Sequence, residues 1–306
     1  MASNQNNYTV YGLRVLSDIA LPELTPSQRR EDEADIFIRY DDLTEEWNLR
    51  STDRSCYLFG ERQVYLHVPD TAVFRMSEGS EMAVSPKEGA DPTQIRLFLL
   101  GTCMAIILMQ RRLLPLHGSG VIIDGSVYAI VGDSGAGKST LAAAFLERGY
   151  QLISDDVIAV VNTDGNPVVL PAYPQQKLWP ESVQMLGLDA SAYQTIYSTK
   201  YAVPVTSSGF CTEPLPLAGV FELEKTDLDK LEKRQVAGLE RLHMLHRHTF
   251  RKSFISPLGL NEWHFSAIAG LAGKVDIYRL SRPKNGITVH QLVEEILQTA
   301  GSAVVS

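Results

Sequence analysis

Eight consecutive residues, Gly132, Asp133, Ser134, Gly135, Ala136, Gly137, Lys138 and Ser139, satisfy the pattern G-x-x-x-x-G-K-[ST] at every fixed position. Polyphosphate oxygens are held best by several backbone N–H groups pointing inward, and glycines let the chain curl tightly enough to present them. A helix that starts where the loop ends adds the positive end of its dipole. In such a loop Lys138 reaches the β- and γ-phosphates, and Ser139 offers its hydroxyl to a metal ion. Thr140 follows at the head of the helix and completes the expected binding set. The expected ligands are ATP and Mg2+, the nucleotide on residues 132–140 and the metal on Ser139.

A phosphate loop implies a nucleotide and leaves the chemistry to other residues. Asp155 and Asp156 close the apolar run that follows the loop's helix. Strand ends in an α/β core gather on one rim, where ligands bind. There one carboxylate can hold Mg2+ while the other accepts the proton of an attacking hydroxyl. The alternative is a solvated turn of two acids. His117 precedes Gly118 just before the loop's own strand and can hydrogen-bond a phosphate or one of the aspartates; it can equally be a satisfied core histidine.

The elements that must position these residues are legible in the pattern. Residues 1–90 read as short strands with alternating apolar and polar positions, broken by Gly, Pro and Asp. Residues 91–113 change to a helical period, with Asp91 as N-cap, Pro92 at the first helical position and Pro115 beyond the end. This helix is expected to bridge the strand-rich module, 1–90, and a nucleotide-binding module, 91–306. Within the second module, two apolar strands flank Asp124-Gly125, a two-residue hairpin signal. Strand, loop, helix and strand then follow in the order of a nucleotide-binding core. Residues 163–220 read as loops with short strands, 226–250 as one or two charged helices, and the C-terminal region as helix, closing strand and last helix. The fold class is α/β (α+β).

The run from Leu116 to Val160 resembles the catalytic core of the HPr kinase/phosphorylase family, with its "HG" hairpin, "GDSGxGKS" loop, helix ending in "RG" and strand ending in "DD". The resemblance implies a P-loop core of the phosphoenolpyruvate-carboxykinase type and a serine kinase activity. It implies Asp155 as the general base, Asp156 as the companion acid near the metal, His117 as the active-site histidine, and Lys138 and Ser139 as phosphate and Mg2+ ligands. It also implies a homo-oligomer. Thr140 stands where that family carries an acid, and its downstream "EVRGxGxxN" signature is absent. The reverse, phosphorolytic reaction is therefore not carried over, and HPr stands as a rival acceptor beside a small metabolite, with a non-catalytic nucleotide-binding switch as the rival of a different class. "YGLRVLSDIALPEL", "KLWPESVQMLG", "KYAVPV" and "PLPLAGVFELEK" resemble a divergent branch of HPr-kinase-like proteins. That branch is similar to kinases that phosphorylate the C-terminal serine of lasso-peptide precursors, which implies a peptide or small-protein partner bearing an acceptor serine. Lys200 and Arg247 or Arg251 are the basic residues suited to a phosphate or a peptide carboxylate.

Composition narrows the alternatives. A formal net charge of −8 gives no global field for nucleic acid or an anionic membrane. Cys56, Cys103 and Cys211 are too scattered for a disulfide framework or a zinc site and fit a reducing, cytoplasmic setting. The most apolar stretch, 97–109, reads as a buried helix too short to span a bilayer. His243, His246 and His248 do not share a helical face and read as surface residues, and the run 224–235 reads as a solvated helix face. Trp47, Trp179 and Trp263 read as core or rim packing.

Overall fold

The alternating strands at the start of the chain pair into one twisted sheet. In the computed structural model, residues 5–27, 34–52, 55–196, 199–227, 229–284 and 288–303 are described. The chain divides into two units by contact: Met1–Leu113 with Ser253–Trp263, and Leu114–Lys252 with His264–Ser306.

The first unit is built on β1 (Asn6–Val10), β2 (Leu13–Ser17), β3 (Thr25–Pro26), β4 (Ile36–Tyr40), β5 (Tyr57–Gly60), β6 (Gln63–Val68), β7 (Ala72–Ser77) and β8 (Glu81–Pro86), with a short α1 (Thr44–Arg50). They form one sheet in the order β3-β1-β2-β4-β8-β7-β6-β5. Hairpins account for most pairs; β2–β4 and β4–β8 are parallel. The helix expected from residue 91 is present. Asp91 caps it by accepting from Thr93 N at 2.8 Å, with Pro92 in the first turn. It runs as α2 (Pro92–Phe98), a π turn (Leu99–Cys103) and α3 (Met104–Gln110). At 19 residues, with a mean hydropathy of 1.6 over an 18-residue stretch, it is long and apolar enough to cross a membrane by length and composition, and longer than the apolar run alone suggests; 67% of that stretch is buried inside the protein. Residues 99–109 are all buried, and that apolar surface groups the helix with the first unit.

The second unit contains β9 (Leu114–Ile123), β10 (Ser126–Val131), β11 (Gln151–Ser154), β12 (Val157–Thr163), β13 (Asn166–Leu170), β14 (Gln175–Leu178), β15 (Gln194–Ile196), β16 (Lys200–Pro204), β17 (Leu215–Thr226), β18 (Glu232–Gln235) and β19 (Asp276–Pro283). Its helices are α4 (Lys138–Glu147), α5 (Pro180–Met185), α6 (Leu239–Arg247) and α8 (Val289–Ala303), and α7 (Asn261–Ala272) enters it from His264. β9 and β10 form the expected hairpin, with Asp124 and Gly125 both at positive φ, 48° and 75°. The main sheet follows the order β10-β9-β12-β13-β17-β19-β18, and a further β10–β17 pairing closes five of its strands on themselves. One face buries Val127, Ala129, Val131, Leu217 and Val220 with residues of α6 and α7. The other buries Ile130, Phe221 and Leu280 under Leu141 and Phe145 of α4 and Val293 and Ile296 of α8.

The strands that carry the phosphate loop and the two acids are not neighbours. β10 and β11 each pair antiparallel with β9, which lies between them, so both end at the same rim. β9 runs the other way, and its start delivers His117 to that rim. Residues 226–250 differ from expectation: β17 extends to Thr226, β18 pairs as an edge strand with β19, and among the described residues only Leu239–Arg247 is helical. All four residues of β18 are exposed. A charged edge strand shows no apolar face, so composition alone does not separate it from a solvated helix.

Gly118 sits where a Cβ would approach Ile130 O to 2.3 Å. Gly118→Ala is expected to cost about 2 kcal/mol through forced displacement of β9 from β10, measured as a loss of unfolding free energy in a denaturant titration.

Candidate active site

Val131 feeds directly into the loop, whose glycines are required by geometry. Gly132 adopts φ 152°, and a Cβ there would meet Leu223 O at 2.5 Å. Gly137 adopts φ 106° at the head of α4, where no side chain caps the first turn. The first backbone N–H groups of α4 thus lack a side-chain cap and suit an anionic ligand. Lys138 is buried and donates from Nζ to Gly132 O at 2.9 Å and Asp133 O at 3.1 Å. Burial lowers its pKa, partly opposed by Asp155 and Asp156. Ser134, Gly135, Ala136 and Ser139 line a cavity of about 390 Å3 that also takes in His117, Asp156, Lys177 and Lys200. Thr140 lines it too, its Oγ1 2.6 Å from Ser182 Oγ.

The two aspartates differ sharply in surroundings. Asp155 is 5% exposed. Its Oδ1 accepts from Ser119 Oγ at 2.6 Å and from Ser139 Oγ at 3.1 Å, and its Oδ2 from Lys177 N at 2.9 Å. Burial pushes its pKa up, against the pull of the Ser119 hydroxyl and the Lys177 amide. Asp156, at φ 72°, turns its carboxylate away from that pocket. It pairs with Lys177 Nζ at 2.8 Å, and His117 Nδ1 lies 3.6 Å from its Oδ1. Burial opposes its ionisation, but the Lys177 and His117 charges outweigh it and hold the carboxyl well below the usual range. Lys177 is raised by the same pairing despite its burial.

His117 Nδ1 donates to the Asp156 carbonyl oxygen at 3.0 Å, which leaves Nε2 as the ring's lone-pair nitrogen. Burial and the Lys138 charge lower its pKa, against the pull of Asp156. Lys200 stands 4.9 Å over the Trp179 ring on the cavity wall. Arg247 reaches the loop and bonds Asp133 Oδ2 at 2.5 Å, whereas Arg251 lies over the Phe250 ring.

Ser119, Lys177 and a buried ion network carry no sequence motif. Glu222, 3% exposed, accepts from His248 Nε2 at 2.8 Å and from Arg279 Nε at 2.5 Å. Arg247 Nη1 lies 3.9 Å away, so the network links β17, β19 and the end of α6 to Asp133 of the phosphate loop. His248 is therefore a buried partner of Glu222 and not a surface residue. Only its contact with a residue 26 positions earlier reveals this. Among the described residues, no cluster of three or more His, Cys, Asp or Glu side chains suits a metal ion.

No protein-family model matches the chain. It is similar to the HPr kinase/phosphorylase of Lactobacillus gasseri, at 33% identity over 110 residues that make up 33% of this chain and 34% of the relative. The enzyme of the same name from Mycoplasmopsis pulmonis is 28% identical over 134 residues, 43% of this chain and 41% of the relative. That of Limosilactobacillus reuteri is 30% identical over 146 residues, 45% of each. The chain thus spans between a third and a half of the length of these relatives. The solved structure of the Hpr(Ser) kinase/phosphatase from Coxiella burnetii aligns over 62% of this chain and 97% of that one, with 15% identity and a TM-score of 0.33, too loose to transfer any position.

Burial favours a neutral Glu222, but its bonds from His248 and Arg279 lower the pKa from 4.5 to about 2. A depressed carboxyl stabilises the fold fully above its unfolded pKa and loses that contribution as pH falls toward the folded value. Wild type is thus expected to exceed Glu222→Gln in stability above about pH 4.5, with the gap closing between pH 4.5 and 2. Denaturant melts of both proteins across this range measure it.

Proposed function

We propose that this HPr-kinase-like chain is an ATP- and Mg2+-dependent phosphotransferase that moves the γ-phosphoryl group onto a serine hydroxyl of a peptide or small protein. The observation that carries the proposal is Asp156, an ionised carboxylate on the wall of the cavity that the phosphate loop also lines.

The two acids divide the work in the reverse of the order implied by family resemblance. Asp155 already accepts three hydrogen bonds and is closed off from an acceptor hydroxyl. Its Oδ1 and Ser139 Oγ, 3.1 Å apart, are hard oxygen donors suited to Mg2+. An Mg2+ ion held there would supply positive charge against the phosphate oxygens. Asp156 orients the attacking hydroxyl and takes its proton as the new O–P bond forms and the bond to the β-phosphate oxygen breaks. A weak base suffices for this role, because the hydroxyl becomes acidic as it bonds to phosphorus. Lys177 keeps Asp156 ionised, and Lys138 with the loop amides stabilises charge on the transferring group.

A peptide acceptor has support of its own. The segments that resemble the lasso-precursor kinase branch supply the wall near Asp156: Lys177, Trp179, Ser182 and Met185 come from "KLWPESVQMLG", and Lys200 opens "KYAVPV". An HPr-type protein is the rival acceptor, from the relatives' name. A cytoplasmic setting fits the three free cysteines, and the family resemblance favours a homo-oligomer.

Incubation with ATP, Mg2+ and a precursor-type peptide ending in serine is expected to add one phosphate, read by intact mass. Asp156→Asn should lose turnover by roughly 10²–10⁴-fold while still binding ATP. Asp155→Asn should instead raise the Mg2+ concentration needed for half-maximal rate. Full turnover in Asp156→Asn would remove the proposed base. Phosphorylation of an HPr-type protein and not the peptide would replace the acceptor.

A further inference from the structure

The segment that follows α6 is bonded to the stretch of β9 that delivers His117. His117 N donates to His248 O at 2.7 Å, and Phe250 N donates to Pro115 O at 2.8 Å. Leu116 and Thr249 form an antiparallel bridge between these two bonds. The ring of Phe250 lies 5.4 Å from that of His117. On its other side, His248 fastens the segment to buried Glu222. Arg247 is the last residue of α6, so its backbone is pinned between a helix end and this paired segment.

Its side chain is placed accordingly. Nη1 lies 3.9 Å from Glu222 Oε1, and Nη2 bonds Asp133 Oδ2 at 2.5 Å. Lys138 and Arg282 bond backbone oxygens of the phosphate loop, whereas Arg247 bonds a loop side chain. That side chain is an acid in a loop shaped for anions. The Asp133 carbonyl oxygen accepts from Ala136 N and from Lys138 Nζ, both at 3.1 Å, so the residue sits where the loop turns. Yet Asp133 does not line the cavity that holds Lys138 and Asp156; it lines a second one of about 300 Å3 with Glu222, Arg247 and His248. Its charge still reaches Lys138, whose pKa burial lowers and Asp133 helps to raise. Left unpaired, this carboxylate would repel a bound polyphosphate and be free to turn toward the Lys138 ammonium.

We infer that Arg247 is a positioning residue for phosphate binding: it holds the Asp133 carboxylate on the far side of the loop and neutralises it there. The sequence suits Arg247 to a phosphate or a peptide carboxylate; the carboxylate it meets belongs to the protein itself. This rests on the phosphotransfer reading above and adds to it a residue outside the lining of the phosphate cavity.

The pair is exposed, 39% at the Arg247 side chain and 66% at that of Asp133. Such pairs contribute little to stability, so Arg247→Gln is expected to unfold at the same denaturant concentration as wild type. Calorimetric titration of the full chain with Mg2+–ATP then reads the positioning alone. Arg247→Gln is expected to bind about fivefold more weakly, the upper end of the coupling in an exposed pair. Arg247→Lys, which keeps the charge, should recover most of that loss. In an Asp133→Asn background the Arg247→Gln change should have no further effect, because no carboxylate remains to be held. The same fivefold loss in that background would show that Arg247 acts on the phosphates directly and would overturn the inference. Wild-type affinity in Arg247→Gln would overturn it equally. If wild type itself did not bind Mg2+–ATP, the phosphotransfer reading would fail first.

Discussion

The Asp155 carboxylate ties the second unit together. It sits at the end of β11 and gathers Ser119 from β9, Ser139 from the first turn of α4 and the backbone amide of Lys177 from β14. Burying a carboxylate is expensive unless its oxygens are bonded, and here three donors from three separate elements converge on it. Shifting any one of them would leave a buried charge less satisfied, so the cost of burial fixes the relative positions of phosphate loop, hairpin and cavity wall. The pKa of Asp155 stays raised, because desolvation outweighs those bonds. A cation at Ser139 would relieve it.

Fixing Asp155 in this way also fixes Asp156. The peptide between them reverses through a left-handed residue, and Asp156 faces the opposite direction, toward Lys177 and His117. Lys177 serves both acids, giving its amide to one and its ammonium to the other. Two adjacent carboxylates thereby acquire opposite shifts, one pushed up by burial and one held down by cations. On the proposed mechanism, such divergence separates a metal-side acid from a group that meets the acceptor. On the far side of the loop, the Glu222 network braces Asp133 through Arg247.

Local chemistry was well written in the sequence. The phosphate loop, the Asp124-Gly125 hairpin and the Asp91 cap each depend on a few adjacent residues, and each is where the spacing implies. The convergence of His117 with Asp155 and Asp156 was one of two readings open in the residues and was implied by the resemblance, since it follows from the antiparallel placement of β9 between β10 and β11. The different surroundings of the two aspartates were not legible, because they depend on partners 36 and 22 residues from Asp155. Lys177 carries no motif and becomes notable only once its partners can be seen. The strand at Glu232–Gln235 was hidden by its charge, as an edge strand need not show an apolar face.

The division of labour between the two aspartates is tested most directly by a crystal structure with Mg2+ and a non-hydrolysable ATP analogue. The expected result is Mg2+ about 2.1 Å from Ser139 Oγ, with Asp155 in its coordination shell or one water away and Asp156 open toward the γ-phosphate. Mg2+ coordinated by Asp156, with Asp155 turned toward the γ-phosphate, would contradict the account.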